Sequence, residues 1–267
     1  MTGKNPPAGN KMPSLFDCIA APTPRYLMRL SQIDKLLSCL PVDPTTFLEI
    51  GPGMGDISEY LVHRYPAIRG HVTDISQSSI DIVANRLKGE QNLSIVLSDF
   101  TAIESHDQFD LIIACEVFEH IADDDAAFSA VHRLLRTGGY FLFSAPAFMA
   151  KWGPADEYGG HVRRYEKDAL RQQFADHGFE ISKFWSYGFP VTNLIGPMSR
   201  RYYRSAQRDA PLDQQHATKR SGTERTMANR FSKIPYVPLM APFFFCQHLF
   251  REQNIGDGYV VLARKIQ

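Results

Sequence analysis

The segment 47–60 has the pattern of a ligand-binding turn. It reads FLEIGPGMGDISEY, a short apolar run that contains Glu49 near its end and leads into a predicted helix. Three glycines stand between them at alternate positions: Gly51, Gly53 and Gly55. Glycine tolerates positive φ and has no Cβ, so a ligand can approach the backbone closely. Asp56 as N-cap with Glu59 three residues later predicts a capping box at the start of the helix.

The turn does not match the common phosphate-binding patterns. A dinucleotide fingerprint needs Gly or Ala at its last position, where this chain has Asp56, and the carboxylate of Glu49 would repel a pyrophosphate. The Gly-Lys-Ser/Thr of a P-loop is absent. An acid just before the glycines favours a ligand that carries an amino group or a positive charge and no phosphate.

The elements around this turn predict an α/β doubly wound core. Between about residues 45 and 147, β-rich runs alternate with helical stretches. The predicted strands are TFLEI, GHVTDI, LSIVLSD, FDLIIACE and GYFLFSAP. The predicted helices between them are DISEYLVHRY, SSIDIVANRLKG and DDAAFSAVHRLLRTGG. Apolar strands that alternate with helices indicate a parallel sheet covered on both faces.

The flanking segments complete this domain. A helix in YLMRLSQIDKLLSCL precedes the core, and a helix in EKDALRQQFADHG and two strands, FEISKFWSYGF and GDGYVVLARKIQ, follow it. Residues 188–256 lie between the last two strands and exceed the length of a simple crossover, so we expect an insertion that caps the substrate site. We expect residues 1–22 to form a flexible leader and residues 23–267 to form a single domain.

Composition excludes several classes of protein. The chain has 267 residues, 44% hydrophobic and 22% charged, which is typical of a globular domain. Lys plus Arg equals Asp plus Glu at 29 each, so no overall charge indicates nucleic-acid binding. The four cysteines form no C-x-x-C pair and the N-terminus has no signal-peptide core. We therefore expect a reduced, cytoplasmic setting and no metal site.

The combined motifs EIGPGMG, EVFEH and GHVRRY resemble those of class I S-adenosylmethionine-dependent methyltransferases of the small-molecule type. Motif I of that family is acid-x-Gly-x-Gly-x-Gly, and the likeness extends over roughly residues 45 to 185 and the last strand. The resemblance implies a Rossmann-like, seven-stranded, mostly parallel sheet with an antiparallel last strand. It also implies S-adenosylmethionine as cofactor and S-adenosylhomocysteine as product.

The resemblance assigns cofactor-binding positions along the first four strands. It implies that Asp74 holds the ribose hydroxyls, that Asp99 and Phe100 contact the adenine, and that Cys115 and Glu116 lie near the methionine end. The full set implied for the cofactor is Glu49, Gly51, Pro52, Gly53, Gly55, Asp74, Ile75, Asp99, Phe100, Cys115 and Glu116.

Proton transfer and substrate contact have candidates in two motifs. His161 is the candidate base or substrate contact, with Tyr165 as a wall of the pocket, Arg163 or Arg164 as an anchor for an anionic group, and His120 as a further catalytic candidate. Tyr158 is a further substrate candidate. The alternative is that HVRRY only fastens its loop to the next helix and that His120 belongs to the architecture of the cofactor site.

Two further groups of residues have local interpretations. The consecutive acids Asp123, Asp124 and Asp125 lack a metal-ligand spacing and favour a helix N-terminus. Tyr26 and Arg29 in the first helix either close over the cofactor or form a pair on the helix surface, and we expect the surface pair.

The insertion has a basic part and an apolar part. Between residues 197 and 233 basic side chains outnumber acidic ones, and the run IPYVPLMAPFFFCQHLF follows. Three prolines and its short length argue against a transmembrane segment. One interpretation is peripheral contact with an anionic membrane or a lipid-linked substrate. The other, which we favour, is a hydrophobic lid or a homodimer face beside a solvated basic loop.

These observations predict in-line transfer of a methyl group to an oxygen, nitrogen or carbon of a small or lipid-like acceptor. Protein and nucleic-acid acceptors rank lower because CEVFEH replaces the NPPY-type motif of amino-methylating enzymes. Aminopropyl transfer is an alternative, for which Glu116 and Glu119 would supply an acidic amine pocket. A non-enzymatic cofactor-binding module is another alternative.

Overall fold

A computed structural model describes residues 14–20, 22–105, 108–208 and 236–266. Its centre is one seven-stranded sheet in the order β3-β2-β1-β4-β5-β7-β6. The strands are β1 (Thr46–Ile50), β2 (Arg69–Asp74), β3 (Leu93–Leu97), β4 (Phe109–Cys115), β5 (Leu135–Pro146), β6 (Phe179–Tyr187) and β7 (Gly258–Lys265). β7 runs antiparallel to both of its neighbours, and the other pairs are parallel. The predicted Rossmann-like sheet with an antiparallel last strand is confirmed.

Helices cover both faces of the sheet. They are α1 (Pro24–Leu37), α2 (Asp56–Arg64), α3 (Gln77–Arg86), α4 (Asp124–Leu134), α5 (Pro154–Gly159), α6 (Lys167–Asp176), α7 (Val191–Arg208) and α8 (Tyr236–Phe250). On one face, apolar residues of α1, α2 and α3 pack against the strands. On the other face, α4 and α6 do so through side chains such as Phe128 and Phe174. The alternation of strands and helices therefore produces the doubly wound core that was predicted.

Local boundaries differ from the prediction in two places. The helix expected through Gly139 ends at Leu134, and β5 begins at Leu135. Gly138 has a φ of 78°, and the pairing of β4 with β5 shifts register between Phe109 and Leu111, so the glycine pair forms an irregularity inside the strand. The glycine-containing loop after β5 includes a short helix, α5.

The described part of the leader packs against the domain. Residues 15–18, which were assigned to a flexible leader, form a 3-10 helix. Leu15 is fully buried, and the Ala20 amide donates to the Asp56 carboxylate at 3.0 Å. The flexible interpretation is therefore wrong for this stretch, because its apolar side chains complete the core under α1. Residues 1–13 lie outside the described residues.

The segment 188–256 contributes α7 and α8, and its basic residues between 209 and 235 lie outside the described residues. The apolar run forms α8, which packs against α1 around Met240, Leu27 and Met28. Gln247 joins the two helices by donating to the Met28 carbonyl and to the Ser31 hydroxyl, each at 2.9 Å. Within the described ranges, no helix has both the length and the apolar character needed to cross a membrane.

Close packing around β2 leaves no room for a side chain at Gly70. A Cβ at Gly70 in β2 would lie 2.3 Å from Leu93 Cδ2 and 2.4 Å from the Phe47 ring. We expect Gly70→Ala to destabilise the protein by about 1–3 kcal/mol, because the two neighbours would be overpacked. Urea unfolding measures the change. Gly153→Ala is the matched control, because its Cβ would meet only the Lys151 carbonyl oxygen, at 3.8 Å, and we expect a change within about 0.5 kcal/mol. Equal effects of the two substitutions would contradict the packing argument.

Candidate functional site

A cavity of about 1770 Å³ opens at the carboxyl ends of the parallel strands. Residues after β1, β2, β3 and β4 line one side, and α1, α5 and α7 line the other. Ligands of open α/β sheets bind at this edge, where strand order reverses between β1 and β4. A typical small-molecule pocket has about 300–1,000 Å³, so this cavity has room for two ligands.

The glycine turn forms the floor of the cavity. Gly51 and Gly53 line it and have φ values of 66° and 57°, which only glycine adopts readily. A Cβ at Gly51 would lie 2.6 Å from Val117 Cγ2, so the turn also packs closely against the segment after β4. Gly55 does not line the cavity and instead is the N-cap of α2, with a φ of 77°.

The predicted capping box at Asp56 is wrong. Asp56 is the first residue of α2, it is buried, and its side chain does not cap the helix. Its carboxylate instead accepts hydrogen bonds from the Tyr26 hydroxyl and pairs with Arg86, which also pairs with Glu59. Asp56 therefore joins α1 to α3 beside the glycine turn, and Glu59 adds a second contact with the same arginine of α3.

The next predicted residues form the wall beside the glycine turn. Asp74 and Asp99 both line the cavity, and each uses one carboxylate oxygen for a local backbone amide, that of Ser76 at 2.8 Å and of Thr101 at 2.9 Å. Ile75, which is 58% exposed, and Phe100, which is buried, line the same cavity. Apolar surface next to two carboxylates suits a flat ring that carries polar substituents at its edges.

A buried charge network closes the cavity after β4. Glu116 has a φ of 59° and accepts from Arg25 Nη1 at 2.7 Å and from the Tyr187 hydroxyl at 2.9 Å. Arg29 Nη1 lies 3.4 Å from the same carboxylate. Although burial would raise the pKa of Glu116, the Arg25 and Arg29 guanidiniums hold it below its usual range. Two arginines therefore neutralise Glu116, which argues against an acidic pocket for an amine.

The expectation that Tyr26 and Arg29 form a pair on the surface of the first helix is wrong, because Arg29 is buried. Its side chain is 11% exposed and lines the cavity, with its guanidinium 5.0 Å from the centre of the Tyr26 ring. The Nε atom is buried and has no hydrogen-bonding partner among the described residues. A buried donor without a partner is costly, so a ligand that accepts a hydrogen bond here would remove that cost.

Glu49 is a buried acid beneath the glycine turn. It is 3% exposed, and the Ser58 hydroxyl donates to its carboxylate. Burial raises the pKa of Glu49 to about 7, although the Ser58 hydrogen bond opposes the shift. Burial also raises the pKa of the neighbouring Cys115 thiol to about 12, so Cys115 is a neutral lining residue.

Both predicted histidines lie together at the end of the cavity near Glu116. Their rings are perpendicular, with centroids 4.8 Å apart. His161 Nδ1 donates to Asp156 Oδ1 at 2.9 Å, and its Nε2 lies 3.9 Å from Glu119 Oε1. Glu119 is fully buried, and neither of its carboxylate oxygens has a hydrogen-bonding partner among the described residues.

This cluster has distinctive electrostatics. Burial, with the adjacent Glu116 as a second cause, raises the pKa of Glu119 well above its usual range. Burial and the proximity of His161 lower the pKa of His120 to about 4. Sequence reasoning missed Asp156 and Glu119 as members of the cluster, because only the fold brings α5 against the EVFEH segment.

The remaining predicted substrate residues divide into two groups. Tyr158 and Arg164 line the cavity, but Arg164 is held by Asp156 at 2.8 Å and by the Ala147 carbonyl at 3.0 Å. Arg163 and Tyr165 do not line it and instead bind Asp124, the Tyr165 hydroxyl at 2.8 Å. For these two residues the fastening interpretation fits the structure, because both hold the loop to the start of α4.

Asp123 performs the predicted local role at the start of α4. Its carboxylate accepts from the Ala126 amide at 3.0 Å, as an N-cap does. The helix N-terminus that was predicted for this acidic run is therefore confirmed.

Comparison with known proteins identifies a family. A model described as a methyltransferase domain matches residues 24–183. The chain is 30% identical over 97 residues to malonyl-[acyl-carrier protein] O-methyltransferase 2 of Ilyobacter polytropus, which is 36% of this chain and 38% of that protein. It is also 30% identical over 101 residues to a ubiquinone biosynthesis O-methyltransferase of Pseudomonas syringae pv. tomato, covering 36% of this chain and 42% of that one. The chain thus spans well under half the length of these relatives.

A solved structure supports the fold. The [4+2]-cyclase SpnF is 15% identical, with a TM-score of 0.58 and coverage of 88% of this chain and 80% of that one. At this identity the similarity concerns the fold alone. Because one fold can support different reactions, the residues of the site, and not the sheet, determine the chemistry.

The burial of Glu49 predicts a pH-dependent stability difference. A glutamate in an unfolded chain has a pKa of about 4.3. Between that value and the folded value of about 7, the folded chain keeps a proton that the unfolded chain has released, so stability falls as the pH rises through this range. Above about pH 7, the free-energy cost of burying the ionised Glu49 carboxylate no longer changes with pH.

We therefore expect Glu49→Gln to gain stability relative to wild type between about pH 5 and about pH 8, by up to roughly 3 kcal/mol. Calorimetric unfolding at several pH values measures the gain. Glu180→Gln, an exposed position on β6, is the control and should show no such trend. A pH-independent difference for Glu49→Gln would contradict the argument.

Proposed function

The chain belongs to the class I S-adenosylmethionine-dependent methyltransferases, and we propose that it methylates an oxygen of a small or lipid-like hydroxyl acceptor. The family follows from the match over residues 24–183. The residues that line the cavity support oxygen as the acceptor atom. One observation carries this proposal: His161, held by Asp156, stands with His120 and Glu119 beside the predicted methionine end of the cofactor site.

The residues present fit the cofactor. Gly51 and Gly53 line the cavity at positive φ, and we propose that their backbone borders the cofactor. Asp74 is proposed to accept from the ribose hydroxyls, and Asp99 with Ile75 and Phe100 to bind the adenine. Each lines the same cavity. A volume of about 1770 Å³ accommodates an acceptor as well.

Arg29 is proposed to bind the carboxylate of the methionine moiety. Its Nε is a buried donor without a partner among the described residues, and its side chain lines the cavity. A charge-assisted hydrogen bond to a carboxylate would satisfy this donor. Glu116 then orients the guanidinium from the other side, at 3.4 Å.

Hydroxyl acceptors differ from carboxylate acceptors in one step. As the acceptor oxygen bonds to the methyl carbon, the carbon–sulfur bond breaks with its electron pair on sulfur, and a hydroxyl must also release its proton. A carboxylate has no proton to release. A cluster of two imidazoles and a buried carboxylate promotes that release, which commonly accelerates a reaction by about 10²–10⁴-fold. Both relatives described above are named O-methyltransferases.

Acceptor classes can be separated directly. Purified protein with methyl-labelled S-adenosylmethionine is offered catechols, polyprenylated phenols, a malonyl thioester and primary amines. We expect label transfer to the phenolic hydroxyls. Transfer to the malonyl thioester or to amines alone would overturn the hydroxyl assignment.

The cofactor site is tested by Asp74→Ala. We expect the dissociation constant of S-adenosylhomocysteine to rise about 10-fold or more, because an acceptor of two ribose hydroxyl hydrogen bonds is removed. Titration calorimetry measures it. Asp81→Ala is the control, since Asp81 lies on the outer part of α3 and bonds Gln77. Equal binding by both variants would contradict the assignment.

The proton-release cluster is tested by His161→Ala. We expect kcat for a hydroxyl acceptor to fall by about 10²-fold or more with unchanged binding of S-adenosylhomocysteine. His63→Ala, at a half-exposed position on α2, is the control. A kcat within a few-fold of wild type in His161→Ala would show that the cluster takes no part in the transfer.

A further inference from the structure

Three side chains at the end of the cavity have the composition of a metal site. Glu119, His120 and His161 each offer one ligand atom, and these atoms lie within 4.8 Å of one another. Two imidazoles and one carboxylate are the ligands of a common catalytic zinc site and of other open transition-metal sites. The sequence did not suggest this, because forty residues separate the two histidines and no motif spacing links them.

The carboxylate of Glu119 is the independent observation. It is fully buried at the cavity wall, yet neither oxygen has a hydrogen-bonding partner among the described residues. Buried carboxylates are otherwise paired, hydrogen-bonded or bound to a metal. Arg25 and Arg29 are directed to Glu116 and do not pair with Glu119.

The candidate ligand atoms are already close to the separation that a common metal ion requires. His161 Nε2 and Glu119 Oε1 are 3.9 Å apart. Ligands at zinc bond lengths are roughly 3.4 Å apart in a tetrahedral arrangement. Small side-chain rotations would therefore bring both atoms to a common ion.

Surrounding groups already orient the two histidines. Asp156 Oδ1 accepts from His161 Nδ1 at 2.9 Å, which leaves Nε2 as the ligand atom on the side of Glu119. The Gly160 carbonyl lies 3.3 Å from His120 Nδ1, and the Val162 amide donates to the Glu119 carbonyl at 2.7 Å. Such carboxylate and carbonyl partners are typical of metal-bound histidines.

We propose that Glu119, His120 and His161 bind a divalent first-row transition-metal cation, with a coordination position open to the cavity. Imidazole ligands favour Zn²⁺ and its neighbours over Mg²⁺, which prefers oxygen ligands. Glu116 is not a ligand, because Arg25, Arg29 and Tyr187 occupy its carboxylate.

The metal would assist the proposed function, on which this further step rests. An acceptor hydroxyl at the open position binds through its oxygen, and its O–H bond breaks with the electron pair left on oxygen. The proton passes to solvent water. A bound cation lowers the pKa of an oxygen ligand by several units, so the oxyanion forms near neutral pH.

Metal binding is tested without cofactor or acceptor. Untagged full-length protein is stripped with a chelator, and Zn²⁺ and Co²⁺ are titrated by calorimetry, with the visible absorption of Co²⁺ recorded. We expect one equivalent to bind and the Co²⁺ spectrum to show nitrogen and oxygen ligation. No stoichiometric binding of either ion would overturn the proposal.

Variants locate the ion. We expect Glu119→Gln, His120→Ala and His161→Ala to weaken binding by about 100-fold or more, and Asp156→Asn by about 10–100-fold. His63→Ala, at a half-exposed position beside Glu90 and outside the cavity lining, is the control and should bind like wild type. Glu119→Gln preserves side-chain volume, and its unfolding temperature verifies that it is folded. Unchanged binding in folded Glu119→Gln would overturn the site.

Activity separates this inference from the proposed function. Phenol methylation that persists at full rate in stripped protein and in Glu119→Gln would contradict the metal while leaving the function intact. One equivalent of Zn²⁺ that binds through Glu119, in a protein that methylates no hydroxyl, would support the metal and contradict the function.

Discussion

The ion pairs of Glu116 hold the ligand-binding edge of the sheet together. This residue follows β4, and its carboxylate joins Arg25 and Arg29 of α1 to Tyr187 at the end of β6 and to the Ser144 hydroxyl in β5. A buried charge that loses its partner typically costs about 3–5 kcal/mol, so these groups must stay together. The left-handed backbone at Glu116, with a φ of 59°, is strain that this network sustains.

Two glutamates three residues apart therefore acquire different properties. Glu116 faces two guanidiniums and stays ionised, whereas no lysine or arginine of the described residues pairs with Glu119, whose pKa is strongly raised. Differing environments around two carboxyl groups are a common way in which one site divides its roles. Here Glu116 fixes the position of α1, and Glu119 is left for chemistry with the two histidines.

Sequence patterns predicted the sheet and the glycine turn because both depend on local features. Alternating strands and helices, and glycines at positive φ, are visible within short windows of sequence. The burial of the second face of α1 is a different case. Met28 and Ser31 lie outside the apolar stripe of α1, yet both are buried because α8 packs against this face of the helix. A helix about two hundred residues later cannot be read from the sequence of α1.

The histidine cluster could not be predicted from local sequence either, because it joins segments that are distant in the chain. It also illustrates how the residues of the site, and not the fold, determine the reaction. His120 lies just after β4, and His161 lies in the loop after β5, so adjacent strands bring them to one edge. Their alignment then depends on the hydrogen bond between Val162 and Glu119 and on Asp156 in α5. The loop could change these contacts without disturbing the sheet. A common sheet can thus support a methyltransferase in one chain and a cyclase in another.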